Sequence, residues 1–407
     1  MTNVKKYIEE NLSKTIREVR EDFGTYIGLP YPFTVPSLKD TFQEMYYWDT
    51  YFINVGLLAN GNIQQTKNNC FNFRYLIEKY GFIPNGSRTF FLSRSQPPYY
   101  AFIVNDLEKY LSEDEKRSLY TSIKCEYKWW HDNRRSEIGL NVYGDNDVAD
   151  DVCRDVGKDA CLRMGEIFRG EMCDIGRNFI AIAESGWDCS PRFDTYKGRL
   201  GCIESFPIDL NCNLYFYESY LDSLQKRLNI VDGEDWAKKA KDRKILIDRY
   251  MWDDENCIYL DYNFVTQKRC DVISCAAFQP YFTGMADVDK KQGLINAYNR
   301  LMCDYGIVAA DKKDNGNYQW AYPNGWANLH YIAYIALKNY GFDAEAKNIA
   351  EKYLSLVDSI FTKTGSLWEK YNVVNGSLNV ASEYGTPEMM GWTAGVYLYF
   401  YNALNEN

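Results

Sequence analysis

Carboxylates set beside tryptophans, tyrosines and arginines recur along this 407-residue chain. The stretch "ESGWDCSPRF" (184–193) puts Asp188 directly after Gly186 and Trp187, with Arg192 and Phe193 close behind. Four other stretches share that chemistry: "FQEMYYWDTYF", "IPNGSRTFFLSRSQPP", "YQWAYPNGWAN" and "WEKYNVVNGSLNVASEYGTPEMMGW". A carboxyl pressed against an apolar ring keeps its proton to higher pH and can deliver it. A second carboxylate can then activate water or attack directly. Aromatic rings stack on sugar faces, while Arg, Asn and Gln grip hydroxyls. Together these residue types suggest cleavage of a glycosidic bond. Singly, each has a plainer reading. Asp188 could cap a helix near Pro191, Asp49 could be an N-cap, and Glu44 could be a surface charge. Glu369 could pair with Lys370 or Lys363 as an exposed ion pair of little energetic weight.

Composition narrows the field. With only two histidines, His131 and His330, His-based triads and multi-His metal sites are nearly excluded. The 12 cysteines are scattered without a C-x-x-C pair, and the spacing of "CDVISC" does not suit zinc. Reduced, buried thiols are expected, with no metal and no cofactor. A net charge of −10 argues against nucleic acid and anionic membrane as partners. No run of 18 apolar residues suits a membrane span. The opening "MTNVKKYIEENLSK" is charged and amphipathic and lacks an apolar signal core, so a cytoplasmic location is expected.

The elements that must position these groups read as helices. "SEDEKRSLYTSIKCEYKWWHD" opens with a capping box, Ser112 to Glu115, and sets Leu119, Ile123, Tyr127 and Trp130 on one face. Leu214, Tyr217, Leu221, Leu224 and Leu228 repeat at helical spacing, as do Ile349, Tyr353, Val357 and Ile360. Gly81 is placed to end a helix. "TAGVYLYFYNALNE" is apolar around most of its circumference, as a buried helix is. No strand alternation persists and no composition break divides the chain. One all-α domain over 1–407 is expected, with residues 1–35 an N-terminal extension or first helix. Alternation of very apolar and amphipathic helices suits two concentric layers, with the five aromatic stretches gathered at one mouth.

Those stretches also carry a family likeness. From about Pro36 to Phe400 the chain resembles the trehalases of glycoside hydrolase family 37. The family's first signature, close to P-G-G-R-F-x-E-x-Y-x-W-D-x-Y-F, is met by "PSLKDTFQEMYYWDTYF", which keeps Phe42, Glu44, Tyr46, Trp48, Asp49, Tyr51 and Phe52. Asn85 and Arg94-Ser95-Gln96 match a second patch, and "QWAYPNGW" meets the signature Gln-Trp-Asp-x-Pro-Asn. The resemblance implies an (α/α)6 barrel and an inverting α-glycosidase that splits α,α-trehalose into two glucoses. It makes Asp188 of Gly186-Trp187-Asp188 the general acid and Glu369 of "WEKY" the general base. An inverting pair should stand about 6.5–9.5 Å apart. It also places Phe42, Trp48, Asp49, Asn85, Arg94, Gln96, Gly186, Trp187, Trp320 and Glu383 around the sugar.

Three departures stand out. The Arg of the first signature is Thr41, and the Asp of the second is Ala321. The family's Arg-Pro-Glu triplet has no intact copy, and its nearest candidate is Arg154 beside Asp155. The acidic run from Asp145 to Asp155 lacks the spacing of a helix-loop-helix calcium site and reads otherwise as a solvated loop. These losses fall largely among groups that the resemblance implies bind the leaving sugar or orient the catalytic pair. They keep open a related inverting enzyme for another small α-glucoside or α-mannoside, and a sugar-binding barrel that has lost activity.

Overall fold

The computed structural model describes residues 2–144, 147–165, 168–188, 190–194, 198–313, 318–382, 384–388 and 390–405. Helices follow one another in inner–outer pairs. After α1 (Asn3–Asn11) come α2 (Tyr47–Ala59) and α3 (Ile63–Tyr80), then α4 (Tyr100–Leu107) and α5 (Glu113–Asn133). A helical hairpin, α6 (Asp150–Met164) and α7 (Met172–Ser185), interrupts the alternation. The pairs resume with α8 (Ile208–Arg227) and α9 (Trp236–Met251), α10 (Gln279–Phe282) and α11 (Lys291–Leu301), and α12 (Ala327–Asn339) and α13 (Asp343–Thr364). Last comes α14 (Gly391–Asn405).

Among the described residues, α2, α4, α8, α10, α12 and α14 each pack on the next, and α14 packs back on α2, closing a ring. The amphipathic helices sit outside it, and α1 lies against α13 and α14. This is the (α/α)6 barrel that the resemblance implies. The sequence periods explain the layers. Leu119, Ile123, Tyr127 and Trp130 turn inward from α5, and Ile349, Tyr353, Val357 and Ile360 do so from α13. In α2 the run Tyr47 to Leu57 is buried on every side, as an inner helix requires. The capping box forms: Ser112 accepts from the Glu115 backbone, and Glu115 accepts from that of Ser112. Gly81 ends α3 in the left-handed region, φ 82°.

Aromatic rings fill the axis of the ring. Tyr51 stacks on Tyr99 at 4.8 Å, and Phe102 on Phe216 at 3.9 Å. The Tyr47 hydroxyl of α2 accepts the backbone N–H groups of Tyr99 and Tyr100, which supplies α4 with an N-terminal partner from a neighbouring inner helix.

Short strands depart from the all-helix expectation. The most consequential are β1 (Asn324–Trp326) and β2 (Lys370–Asn372), antiparallel, with Trp326 opposite Lys370. Runs of three residues show no readable alternation, which is why periodicity passes over them. Among the described residues, no helix is long and apolar enough to cross a membrane.

Ring closure depends on a close backbone approach. A Cβ on Gly56 of α2 would lie 2.3 Å from the Cα of Gly395 on α14. Alanine usually gains about 0.5–1 kcal/mol over glycine inside a helix. Here the clash is with backbone, which cannot swing aside, and overpacking costs about 1–3 kcal/mol or more. Gly395→Ala is therefore expected to lower Tm in thermal unfolding followed by circular dichroism. A rise would show that α2 and α14 have room to part.

Candidate active site

Both expected catalytic carboxyls line one cavity of about 200 Å³. Phe42, Trp48, Asp49, Asn85, Arg94, Gln96, Gly186 and Trp320 line it with Asp188 and Glu369. Trp187 is buried behind the wall rather than lining it. Arg154 stands apart, exposed on α6 and absent from the lining. Glu383 lies outside the described residues. Of the acidic run, residues 150–155 open α6, while 145 and 146 lie outside the described residues.

Asp188 follows α7 across a fixed turn. Gly186 sits at φ 70° with the Trp48 indole so close that an added Cβ would be 2.7 Å from it. No other residue fits both the backbone and the space. Trp187 donates its indole N–H to Asp209 at 3.0 Å. Fully buried Arg192 holds Asp209 and Asp261 with four N–H groups at 2.7–3.1 Å, its guanidinium 4.5 Å from the Trp187 ring centroid. Upstream, buried Glu184 accepts two bonds from Arg134 and the backbone N–H groups of Ser95 and Gly144. The charged neighbours of Asp188 in sequence are thus its mounting. Sequence sets Arg192 and Glu184 near Asp188 without assigning either a part. The turn at Pro191 is capped by Ser190, not by Asp188.

Glu369 is mounted differently. It is 2% exposed, and β1–β2 pairing brings its strand beside Trp326. One carboxylate oxygen accepts the Lys370 ammonium at 2.6 Å, and the other accepts the Tyr384 hydroxyl at 2.8 Å. The Trp392 indole donates to the Glu369 carbonyl at 3.1 Å. The pair with Lys370 that sequence would leave on the surface is buried, with Lys370 at 0% exposure. Its ammonium lies 5.0 Å from the Trp326 ring centroid and 4.6 Å from that of Tyr384. Glu44 is likewise no surface charge: buried, it binds Arg88 and Tyr46.

Walls and grips complete the cavity. Trp320 stacks on Trp326 at 3.8 Å and 4°, and Trp392 meets both edge-on. Phe42 is held at φ 53°, an uncommon conformation for a bulky residue, with its ring edge-on to Tyr46 and Tyr384. The Asn85 amide donates to the carbonyls of Ala183 and Ser95. Gln96 accepts the Trp48 backbone N–H at 3.0 Å. Arg94 is half-buried; desolvation lowers its pKa, while the charges of Asp188 and Glu184 oppose that shift. Trp326, Tyr384 and Trp392 also line the cavity and were not among the expected site residues, although each stands in a quoted stretch.

Asp49 is not an N-cap; it lies in the first turn of α2, which Tyr46 precedes. Burial pushes its carboxyl up to about 8, with the charge of Glu369 next in weight and that of Asp188 smaller. Below that pH it is a protonated group able to donate as well as accept. Thr41 is exposed and lines a different surface cavity, and Ala321 is buried without a polar group to offer.

A family model described as Trehalase matches residues 2–405. Among solved structures, neutral trehalase Nth1 from Saccharomyces cerevisiae is similar over 100% of this chain and 80% of its own, with TM-score 0.79 and 24% identity. The GH63 mannosylglycerate hydrolase from Thermus thermophilus, in complex with glucose, is similar over 98% of this chain and 100% of its own, with TM-score 0.66 and 16% identity. At those identities the two structures show the fold.

Asp49 makes stability depend on pH. An unfolded chain releases its proton near the ordinary value of 3.8, while the folded chain keeps it to about 8. The stabilisation is full below the lower value and is lost as pH rises through the higher one. Asp49→Asn, neutral throughout, is expected to match the wild type in Tm near pH 4 and to exceed it by several degrees near pH 8. Parallel Tm curves across that range would show that Asp49 titrates normally.

Proposed function

The chain belongs to the trehalase family, and from that premise we propose that it hydrolyses α,α-trehalose with inversion, Asp188 serving as general acid and Glu369 as general base. It is a glycoside hydrolase. The observation that carries the assignment of roles is the meeting of Asp188 and Glu369, from distant parts of the chain, in one aromatic-walled cavity.

Chemistry follows from the surroundings of each group. Three carboxyls, Asp49, Asp188 and Glu369, share the cavity, and like charges resist simultaneous ionisation. Burial, then the charges of Glu369 and Asp188, keeps Asp49 protonated at neutral pH. Asp188 delivers a proton to the bridging oxygen as the glycosidic bond breaks. Glu369, with Lys370 and Tyr384 fixing its two oxygens, takes a proton from water attacking the opposite face. The Asn85 oxygen accepts from a sugar hydroxyl, since its amide N–H groups are engaged, and the Gln96 amide donates to another. Asp49 and Arg94 bind further hydroxyls, and Trp320 is the stacking wall. No metal or cofactor enters this scheme.

We read residues 1–407 as one domain working in the cytoplasm. The eleven described cysteines are free thiols, as suits a reducing compartment. Thr41 and Ala321 favour a second reading, another small α-glucoside or α-mannoside, which comparison of kcat/KM across α-linked disaccharides separates from the first.

Inversion at one anomeric carbon predicts equal initial amounts of α- and β-glucose from trehalose, followed by proton NMR before mutarotation. Two α-glucoses at first turnover would overturn the mechanism. Asp188→Asn and Glu369→Gln are each expected to lose about 10²–10⁴-fold in kcat while remaining folded. Full activity in either variant would remove that residue from its role, and inactivity of the wild type on every glycoside tried would favour a binding-only barrel.

A further inference from the structure

A second cavity, of about 310 Å³, adjoins the first and shares Arg94, Ala183, Asp188 and Tyr384 with it. Asp188 therefore stands at the seam. Glu369 lines only the first cavity. If Asp188 protonates the bridging oxygen while Glu369 directs water, the attacked sugar occupies the first cavity and the leaving group the second. That division rests on the trehalase reading.

The second cavity's apolar wall is made by Val156, Phe179, Ile180 and Ile182. Apart from the shared residues, its polar groups are Asp159 and Arg163, one turn apart on α6. They pair at 2.9 Å, and the Arg163 guanidinium lies 6.0 Å from the Phe179 ring centroid. Both side chains are open to solvent, at 62% and 42% exposure, so a ligand can reach them without breaking a buried pair. Arg154, the sequence candidate on this helix, lies about two and a half turns earlier and so on the opposite face.

We infer that Asp159 and Arg163 select the leaving group, and that they take adjacent hydroxyls of a neutral sugar. A guanidinium offers a planar fork of donors, and the carboxylate beside it offers acceptors. A vicinal diol presents both complements at once, because each hydroxyl donates and accepts. Charge supports the neutral class. Arg163 already pairs with Asp159 at 2.9 Å, and Arg94 lies within the field of the buried Glu184 carboxylate. A carboxylate-bearing leaving group would have to compete with these.

The test uses the full-length chain with Asp159→Ala, Arg163→Ala and Arg163→Lys. Substrates are α,α-trehalose, α-glucosyl fluoride, whose leaving atom is too small to use the second cavity, and an α-glucosyl glycerate. The ratio of kcat/KM for trehalose to that for the fluoride is expected to fall about tenfold or more in both alanine variants, the size of one lost charged hydrogen bond. Lysine should restore part of it. The glycerate should be a poor substrate of the wild type. An equal loss on both substrates, or no loss, overturns the inference, as does glycerate hydrolysis on a par with trehalose. A wild type that cleaves the fluoride but not trehalose would sink the trehalose reading instead.

Discussion

Asp49, Asp188 and Glu369 share one small cavity. Gathering three carboxyls in so small a space is costly, and much of the surrounding structure can be understood as the means of holding them there. Lys370 sets a positive charge against Glu369, and Arg94 lies close enough to Asp188 and Glu184 to feel their charges. Asp49 yields, to burial first and then to the charges of Glu369 and Asp188, by staying protonated. An apolar group in its place would fold more easily. A binding cavity for hydroxyls needs the opposite, groups that donate and accept in a space from which water is largely displaced.

Fixing such groups requires rigidity behind them. Arg192 with Asp209 and Asp261, and Arg134 with Glu184, are buried ion pairs one layer behind the cavity. Desolvation offsets most of what such pairs contribute to net stability, so they are poorly explained as stabilising devices. Removing one partner is another matter: it strands a buried charge at a cost of about 3–5 kcal/mol. The pairs therefore act as all-or-none fasteners. Glu184 ties the segment Arg94-Ser95-Gln96 to the helix that leads into Asp188, through the Ser95 N–H at 2.8 Å. Displacements of about 1 Å at a reacting pair cost heavily in rate, and fasteners of this kind resist them.

Helical layers were legible because burial imposes a period. The apolar faces of α5, α8 and α13 and the capping box at Ser112 emerge in the structure where spacing puts them. The cavity was legible chiefly through the family resemblance, since Asp188 or Glu369 alone looks like any carboxylate beside an aromatic. What spacing could not convey was depth and phase. Lys370 next to Glu369 reads as a surface pair in sequence, yet strand pairing with Trp326 buries it. Arg154 and Arg163 are both arginines on one helix, and only their angular positions separate a solvent-facing residue from one at the cavity. Contacts between Gly186 and Trp48, or between Arg192 and Asp261, join distant parts of the chain and have no local signature.

The two cavities come from different parts of the architecture. The first draws on the ring helices α2 and α14, on the β1–β2 pair and on the end of α7 that leads into Asp188. The second draws on α6 and α7, a hairpin set apart from the inner–outer alternation. Altering an inner helix disturbs two neighbours in a ring that must close, with as little slack as Gly56 and Gly395 allow. Altering the outward turn of α6 that carries Asp159 and Arg163 disturbs little beyond the hairpin. Asp159 and Arg163 thus sit under less mechanical constraint than Asp49 and the other groups mounted on the ring. The departures at Thr41 and in the region of the missing triplet lie outside the first cavity; Ala321, next to Trp320, is the departure that reaches its wall.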